Sequence, residues 1–385
     1  MRRAPALALL LATVLLFALP ANAQTAPTLT LSASQDTIAY GDSVTLAGTS
    51  SIAQAGVMIE IVDATGSVVA DATTDAAGAF SATIAPDGTD SYRAVLADAT
   101  SGPVTVRVRA VLSVRLSPVR LFDTATVRGV VAPAPPDGRV EVALTRGGHT
   151  VEVRTAALNA NGAFATTFRI DEAGHYRARA SFEAEDLLRG KATSAADRTP
   201  LPRLASGDEG VFVEMLEQRL VELDYRLAGA KDGRYDARTA DAVVAFHKVH
   251  GMERVFVVRE ATWRRLSRPR SPNPRRAWKG FHFEVDQTRQ VLYTVEQGEI
   301  TNILHISTGA GGATHDGTYR VHRKLAGFSP NHLYYPSYFD GLRALHGWTE
   351  VPTYAASHGC IRIPYWNAQW VFALANYGTR VVIYH

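Results

Sequence analysis

Two short words of this sequence, each repeated at the same distance, restrict its first half more than any bulk property does. Gly78-Ala79-Phe80 recurs as Gly162-Ala163-Phe164, and Tyr92-Arg93-Ala94 recurs as Tyr176-Arg177-Ala178, both displaced by 84 positions. Thr45-Leu46-Ala47-Gly48 answers Thr126-Val127-Arg128-Gly129 at a displacement of 81, so one small insertion separates two copies of one module. Short alternating runs such as Val57-Met58-Ile59-Glu60-Ile61-Val62, bounded by Gly and Asp turns, read as strands. A chain of 385 residues exceeds one ordinary core, because domains run to about 100 to 200 residues. The repeat therefore predicts two tandem all-β sandwiches, over 27–109 and 110–195, ahead of further domains.

In pattern these two sandwiches resemble bacterial immunoglobulin-like domains. The single cysteine of the chain lies far beyond them, so the inter-sheet disulfide of antibody domains is missing. Neither copy gathers acidic, histidine or aromatic residues suited to a ligand, and the pair reads as a spacer rather than an adhesive module. Before them, Met1-Arg2-Arg3 leads into an apolar stretch from Ala6 to Leu19 and then Ala21-Asn22-Ala23, a small-x-small cleavage signal. That stretch is shorter than the ~20 apolar residues a spanning helix needs, so residues 1–23 read as a secretory signal peptide rather than an anchor. Its removal takes two arginines and no acid, lowering the formal charge from +3 to +1. Near-neutrality lends no support to nucleic acid as a partner, and no later segment is apolar enough to span a membrane.

Beyond a polar link near Ala195 to Pro202 the periodicity turns helical. Leu216, Leu220 and Leu223 fall at i, i+4, i+7, as do Thr239, Val243 and Phe246, with the turn Lys231-Asp232-Gly233-Arg234-Tyr235 between them. From Leu204-Ala205-Ser206-Gly207-Asp208-Glu209-Gly210 to Trp263-Arg264-Arg265-Leu266 the run resembles the three-helix peptidoglycan-binding module of wall enzymes, placed here at 203–267. It departs from that pattern where Val255-Phe256-Val257-Val258 replaces a second Asp-Gly turn. The stripes read as core, not as ligand contacts. A Pro- and Arg-rich stretch, 268–279, follows and reads as a semi-rigid spacer whose charges are solvated.

The last segment, 280–385, opens as β structure. Gln290 to Glu296 alternates, Gln297-Gly298 turns, and Ile300 to Ser307 continues as a partner strand. Gly317 to Val321 and Thr379 to Tyr384 read as further strands. Pro364 can open a helix carrying Trp366, Trp370 and Leu374 on one face, with Gly378 beyond its end.

Between these elements stand His346-Gly347 and Ser357-His358-Gly359-Cys360-Ile361-Arg362. Cys360 is the only cysteine, and in an exported chain an unpaired thiol is either buried and inert or kept for reactivity. A thiol attacks a carbonyl as thiolate, so it needs a base or cation within reach. His358 is two residues away, where side chains point alike without meeting; His346, from a neighbouring element, is the better base. Gly359 leaves room for backbone amides to approach a substrate oxygen, making the Gly359 and Cys360 N–H groups oxyanion-hole candidates. Arg362 could hold a thiolate, bind a substrate carboxylate or brace the loop.

Taken in order, Ser307-Thr308-Gly309, Gly317-Thr318-Tyr319, His346-Gly347, Ser357 to Arg362 and Gly378-Thr379-Arg380-Val381-Val382-Ile383 resemble the catalytic domain of L,D-transpeptidases. The resemblance implies Cys360 as nucleophile, His346 as base, the Gly347 carbonyl as the group orienting it, and Ser357, His358, Gly359 and Arg362 as supports. One departure is Thr314-His315-Asp316-Gly317, where the family carries Thr-Pro-x-Gly. Lys324 to Leu345, with Phe328, Tyr334, Tyr335, Tyr338 and Phe339, falls where the family has a flap, though its aromatics suit a satellite core equally well.

The resemblance further implies 3→3 cross-linking of peptidoglycan stem peptides on their glycan strands through a cysteine thioester. It also implies no cofactor, no metal, carbapenems as covalent inhibitors, and an exported site of action in periplasm or cell wall. Water as acceptor would make an L,D-carboxypeptidase; a lipoprotein acceptor would make an enzyme that attaches or cleaves that joint. Two readings of other classes compete: a zinc peptidase using His346, His358 and Cys360 as ligands, and a non-catalytic wall-binding scaffold. The architecture expected is thus multidomain: two immunoglobulin-like sandwiches, a three-helix module, and a mainly β catalytic domain with one C-terminal helix.

Overall fold

A computed structural model of the protein describes residues 27–135 and 137–385; the leader expected at 1–23 lies outside them. The chain divides into two compact units, one running up to Val111 with Glu183–Gly190, the other comprising Leu112–Phe182 with Lys191–His385. In the first, Ser32–Ala33, Val44–Thr49 and Ala79–Ile84 form one sheet. Val104–Arg109, Asp90–Leu96, Met58–Val62 and Val68–Thr73 lie side by side in another. In the second unit, Thr124–Ala132 pairs with Ala163–Arg169, and Arg139–Arg146 pairs with His149–Ala157. Alternating burial along these strands makes both modules β-sandwiches.

The repeated words have a common physical cause. Gly48 lies opposite Phe80, and Gly129 opposite Phe164, in antiparallel register. A Cβ at Gly48 would stand 2.0 Å from the Thr30 carbonyl oxygen and 2.5 Å from the Phe80 ring; at Gly129 the figures are 2.1 Å to Ser113 and 2.5 Å to Phe164. Each ring covers bare backbone that a side chain would occupy. Ahead of each phenylalanine, Asp75 or Asn159 accepts two amides of its own turn, from Ala77 and Ala79 or from Asn161 and Ala163, an Asx turn that carries the chain from one sheet to the other.

Three helices follow: α1, Val211–Glu222; α2, Ala237–Val249; and α3, Glu260–Ser267. The side chain of Asp236 caps α2 by accepting from the amides of Arg238 and Thr239, satisfying donors that helix geometry leaves free. Leu216, Leu220, Thr239, Val243 and Phe246 are all buried, as their spacing requires. Buried Glu217 ties the Gly233 turn to α2, accepting from Gly233 N at 3.0 Å and Thr239 Oγ1 at 2.7 Å.

The last segment folds as two sheets. One orders Glu299–His305, Val291–Glu296, His282–Asp286, Arg380–Tyr384 and Gly317–Arg320; the other orders Arg323–Lys324, Tyr334–Asp340, Arg343–Trp348 and Ile361–Pro364. Phe283, Val285, Leu304, Leu345, Ile361 and Ile363 make a core with helix α4, Tyr365–Leu374. The buried side of α4 carries Asn367, Ala368 and Val371, while Trp366 is 40% exposed. The face predicted from Trp366, Trp370 and Leu374 is therefore displaced: small residues are what let the helix lie close to Gly347, where a Cβ would stand 2.6 Å from that of Ala368.

Two expectations about independence are corrected. The strand Val291–Glu296 does not alternate; Val291 to Val295 are all buried. Val291, Tyr293, Val295 and Ile303 share one core with Leu121 and Phe122 of the second sandwich and with Leu216, Val243 and Phe246 of the helices. Nor is 268–279 a free spacer. The amides of Arg275 and Arg276 both donate at 2.6 Å to the carboxylate of buried Glu284, and Arg270 N donates to His250 Nε2. The buried carboxylate takes up backbone donors that prolines leave unpaired by any ladder.

Deleting 204–266 should consequently unfold the final domain, not merely weaken its retention on wall. Four side chains at 0–1% exposure lose their cover, at about 1.5–3 kcal/mol each, against a total stability of about 5–15 kcal/mol. A cooperative near-ultraviolet melting transition retained by that deletion would contradict the shared core.

Candidate active site

Strand parity places the chemistry. Along Arg343–Trp348, Leu345 and Gly347 face the core and α4, leaving Ala344, His346 and Trp348 on the other side. Ile361–Pro364 runs parallel to this strand with Arg362 in register with His346. Cys360 immediately precedes Ile361–Pro364, at the mouth of that strand, where the Ala344 amide reaches the thiol. His346 is 3% exposed and Cys360 partly exposed.

The imidazole has a fixed tautomer. His346 Nδ1 lies 2.9 Å from the Gly347 carbonyl oxygen, which can only accept, so Nδ1 carries the hydrogen and Nε2 keeps the lone pair. The ring meets Trp348 edge-on at 5.6 Å, and the Arg362 guanidinium sits 5.4 Å from the centre of the same indole. Of the three roles open to Arg362, its contact with Trp348 fits bracing this wall, and its charge also favours a thiolate on Cys360.

The nucleophile's turn is held from beneath. Ser357 Oγ donates to the Cys360 carbonyl at 2.5 Å and accepts from Gly359 N at 3.0 Å. The Gly359 amide is thereby spent, which corrects its assignment to an oxyanion hole; the Cys360 amide makes no hydrogen bond among the described residues and remains the candidate. Gly359 has φ +127°, and a Cβ there would lie 2.9 Å from both the Ala313 carbonyl oxygen and Arg343 Nε, so only glycine fits. His358 is exposed and makes no side-chain hydrogen bond among the described residues, so the support expected of it has no contact to act through. His346, His358 and Cys360 do not converge as a zinc triad either: among the described residues no three His, Cys, Asp or Glu side chains are placed to share a metal.

Sequence reasoning missed two neighbours. Buried Thr314 accepts from Gly309 N at 2.8 Å and donates to the Gly359 carbonyl at 2.9 Å, joining the Ser307–Gly309 loop to the nucleophile's turn. Its signal was the threonine that survives where the Thr-Pro-x-Gly pattern breaks. Arg343, paired with Asp340 at 2.6 Å, reaches Gly359 and adds positive charge beside Cys360. The expected flap is partly a hairpin, Tyr334–Asp340 with Arg343–Trp348. Tyr334 and Tyr335 lie toward α4, Tyr334 stacked on Tyr365 at 4.0 Å, whereas Phe339 meets Tyr319.

Electrostatics oppose an ion pair at rest. Burial pushes the Cys360 thiol up from its ordinary value, outweighing the Ala344 amide, Arg343 and Arg362, which favour thiolate. Burial lowers His346 to about 4, with the Gly347 hydrogen bond acting against it and Arg362 adding to it. Desolvation disfavours the charged form of each group, so both shifts favour thiol and neutral imidazole over a thiolate–imidazolium pair. Below pH about 4 His346 holds a proton and cannot accept one; above it the base is available. Acylation of Cys360 should accordingly fall on the acid side of a limb near 4 and stay flat through neutrality. A rate that climbs tenfold between pH 6 and 8, measured by stopped-flow, would restore the ion pair.

Comparison with known proteins adds the family. Residues 280–383 match the family model of the L,D-transpeptidase catalytic domain, and residues 209–255 that of a peptidoglycan binding domain. Among solved structures, an L,D-transpeptidase from Xylanimonas cellulosilytica is 33% identical over 49% of this chain and 100% of that one, with TM-score 0.45. The catalytic domain of the E. faecium L,D-transpeptidase is 22% identical over 28% of this chain and 98% of its own, TM-score 0.23. An L,D-transpeptidase from Mycobacterium tuberculosis is 10% identical over 71% and 98%, TM-score 0.26. No curated protein sequence matches.

Proposed function

The chain belongs to the L,D-transpeptidase family, and from that premise we propose that it joins peptidoglycan stem peptides through a thioester on Cys360. The observation that carries this reading is the tautomer of His346. With Nδ1 committed to Gly347, Nε2 keeps its lone pair and is the nitrogen that would take the thiol proton as sulfur attacks.

In the first half-reaction Cys360 Sγ bonds to the carbonyl carbon of the donor stem's third residue, and the thiol proton passes to His346 Nε2. The carbon–nitrogen bond to the terminal D-alanine then breaks, and His346 returns the proton to the departing amine. In the second, an acceptor amine attacks the thioester, gives its proton to His346, and the carbon–sulfur bond breaks as the thiol is restored. The Cys360 amide, which has no partner among the described residues, would stabilise the oxyanion in both. The match of residues 209–255 to a peptidoglycan binding domain supports a role on wall glycan and stem peptides, and with it a site of action in the cell envelope, reached by export to periplasm or cell wall. A strained lactam would acylate the same thiol, making carbapenems covalent inhibitors.

Incubating the protein lacking residues 1–23 with disaccharide-tetrapeptide and weighing the products tests the proposal. Cross-linked dimers short of one alanine are expected. Tripeptide alone would make it a carboxypeptidase; unaltered substrate with an inert thiol would favour the scaffold.

A further inference from the structure

Lys248 stands near the end of α2, where sequence alone reads a lysine as solvated. It is 2% exposed, and lysine is almost never buried unless its charge is met. Its Nζ donates at 2.9 Å to the Gln290 carbonyl and at 2.9 Å to the Ile306 carbonyl, and lies 2.6 Å from His305 Nδ1. His305 Nε2 sits 2.8 Å from the Val351 carbonyl, so Nε2 carries that ring's hydrogen and Nδ1 is an acceptor. Three acceptors around Nζ match the three hydrogens of an ammonium. Burial, with the nearby Arg254 charge adding to it, pushes the Lys248 amine well below its ordinary value, and Asp241 on the same helix works the other way.

What these partners carry is the acyl-transfer loop. Ile306 precedes Ser307, which exchanges both backbone bonds with Arg362 at 3.1 and 2.8 Å. The Gln290 side chain clamps Thr308, accepting from its amide at 2.8 Å and donating to its hydroxyl at 2.7 Å. The Thr308 carbonyl in turn accepts from the amides of Ala356 and Ser357, and Ser357 holds Cys360. A second cation from the helical module acts on the same loop: Arg254 donates at 2.9 Å to the Thr353 carbonyl and at 2.8 Å to that of Thr288. Val351 and Thr353 both lie between His346 and the Ser357–Cys360 turn.

We infer that Lys248 and Arg254 are positioning residues for the acyl-transfer site, through which the helical module sets the place of the nucleophile relative to its base. The inference builds on the reading of Cys360 and His346 given above. A buried amine held by three fixed partners does not slide, so the two strand ends it joins keep one arrangement. Loss of it lets the Ser307–Gly309 and 351–356 segments shift together, and a misplacement near 1 Å costs about 100-fold in a site of this kind.

Lys248→Met and Arg254→Ala, made in the full chain lacking only residues 1–23, test this. On disaccharide-tetrapeptide each is expected to lower kcat by about tenfold or more while leaving KM within about twofold, because the groove is intact and the reacting atoms are not aligned. Alkylation of Cys360 by iodoacetamide, which needs no substrate, should change in rate by threefold or more in both. Arg254→Lys, which keeps one donor, should recover part of the loss. A folded Lys248→Met protein with wild-type kcat and wild-type alkylation overturns the inference; if that variant does not fold, the same result for Arg254→Ala does so. Failure of the proposed reaction would show instead as an inactive wild-type protein, and the alkylation rates would still decide the positioning role.

Discussion

Cys360→Ala is expected to lose stem-peptide cross-linking completely, with the fold unchanged. No second thiol exists in the chain, and the hydroxyls around the nucleophile's turn are already engaged: Ser307 Oγ donates to the Tyr354 carbonyl at 2.6 Å, Ser357 Oγ to the Cys360 carbonyl and Thr314 Oγ1 to the Gly359 carbonyl. Removing the nucleophile from an acyl-transfer site costs on the order of 10⁶ in kcat where it has been isolated from binding. A partly exposed side chain of this size can be trimmed with little loss of packing, so circular dichroism and melting temperature should match the parent. Dimer formation at more than a thousandth of the parent rate, followed by chromatography of muropeptides, would move the chemistry to another residue.

His346→Ala is expected to slow acylation by about 100-fold or more, the usual contribution of a positioned general base. His346 alone in the site has a hydrogen-bond partner that dictates which nitrogen is basic. His346→Gln separates orientation from proton transfer, since an amide can reproduce the bond to Gly347 but cannot accept the thiol proton, and should be nearly as slow. His358→Ala should cost far less, because that ring is exposed and engages no neighbour. Equal losses from the two histidines in single-turnover acylation would reverse their roles.

How far the sequence foretold this arrangement depended on whether a residue acts through its neighbours in the chain or through distant ones. The β-modules were legible because Gly48 and Phe80 face each other in one antiparallel strand pair, as Gly129 and Phe164 do in the other module. The helices of the wall-binding module were legible from Leu216, Leu220, Val243 and Phe246, whose burial follows a single period. His346-Gly347 carried its own geometry, because the carbonyl that fixes the ring belongs to the next residue.

Lys248 gave no such signal: a lysine on a helix reads as surface, and its partners lie 42 to 58 positions away. Arg343 was hidden in a stretch judged by its aromatics. The merging of helices and final domain did leave a trace, the unbroken apolar run Val291-Leu292-Tyr293, which is what a strand covered on both faces looks like. Reading it as alternating concealed the second cover. Gly359 shows the opposite limit, since its need for positive φ could be guessed but the commitment of its amide to Ser357 could not.

The central claim is a covalent acyl group on one named sulfur, and intact-mass analysis with peptide mapping reads it directly. The protein lacking residues 1–23 is incubated with a carbapenem at neutral pH, quenched in acid and digested. The account predicts one adduct per chain, confined to the peptide containing Cys360, and none on Cys360→Ala. An adduct on a serine peptide, or none after long incubation while stem peptides are still cross-linked, would contradict it.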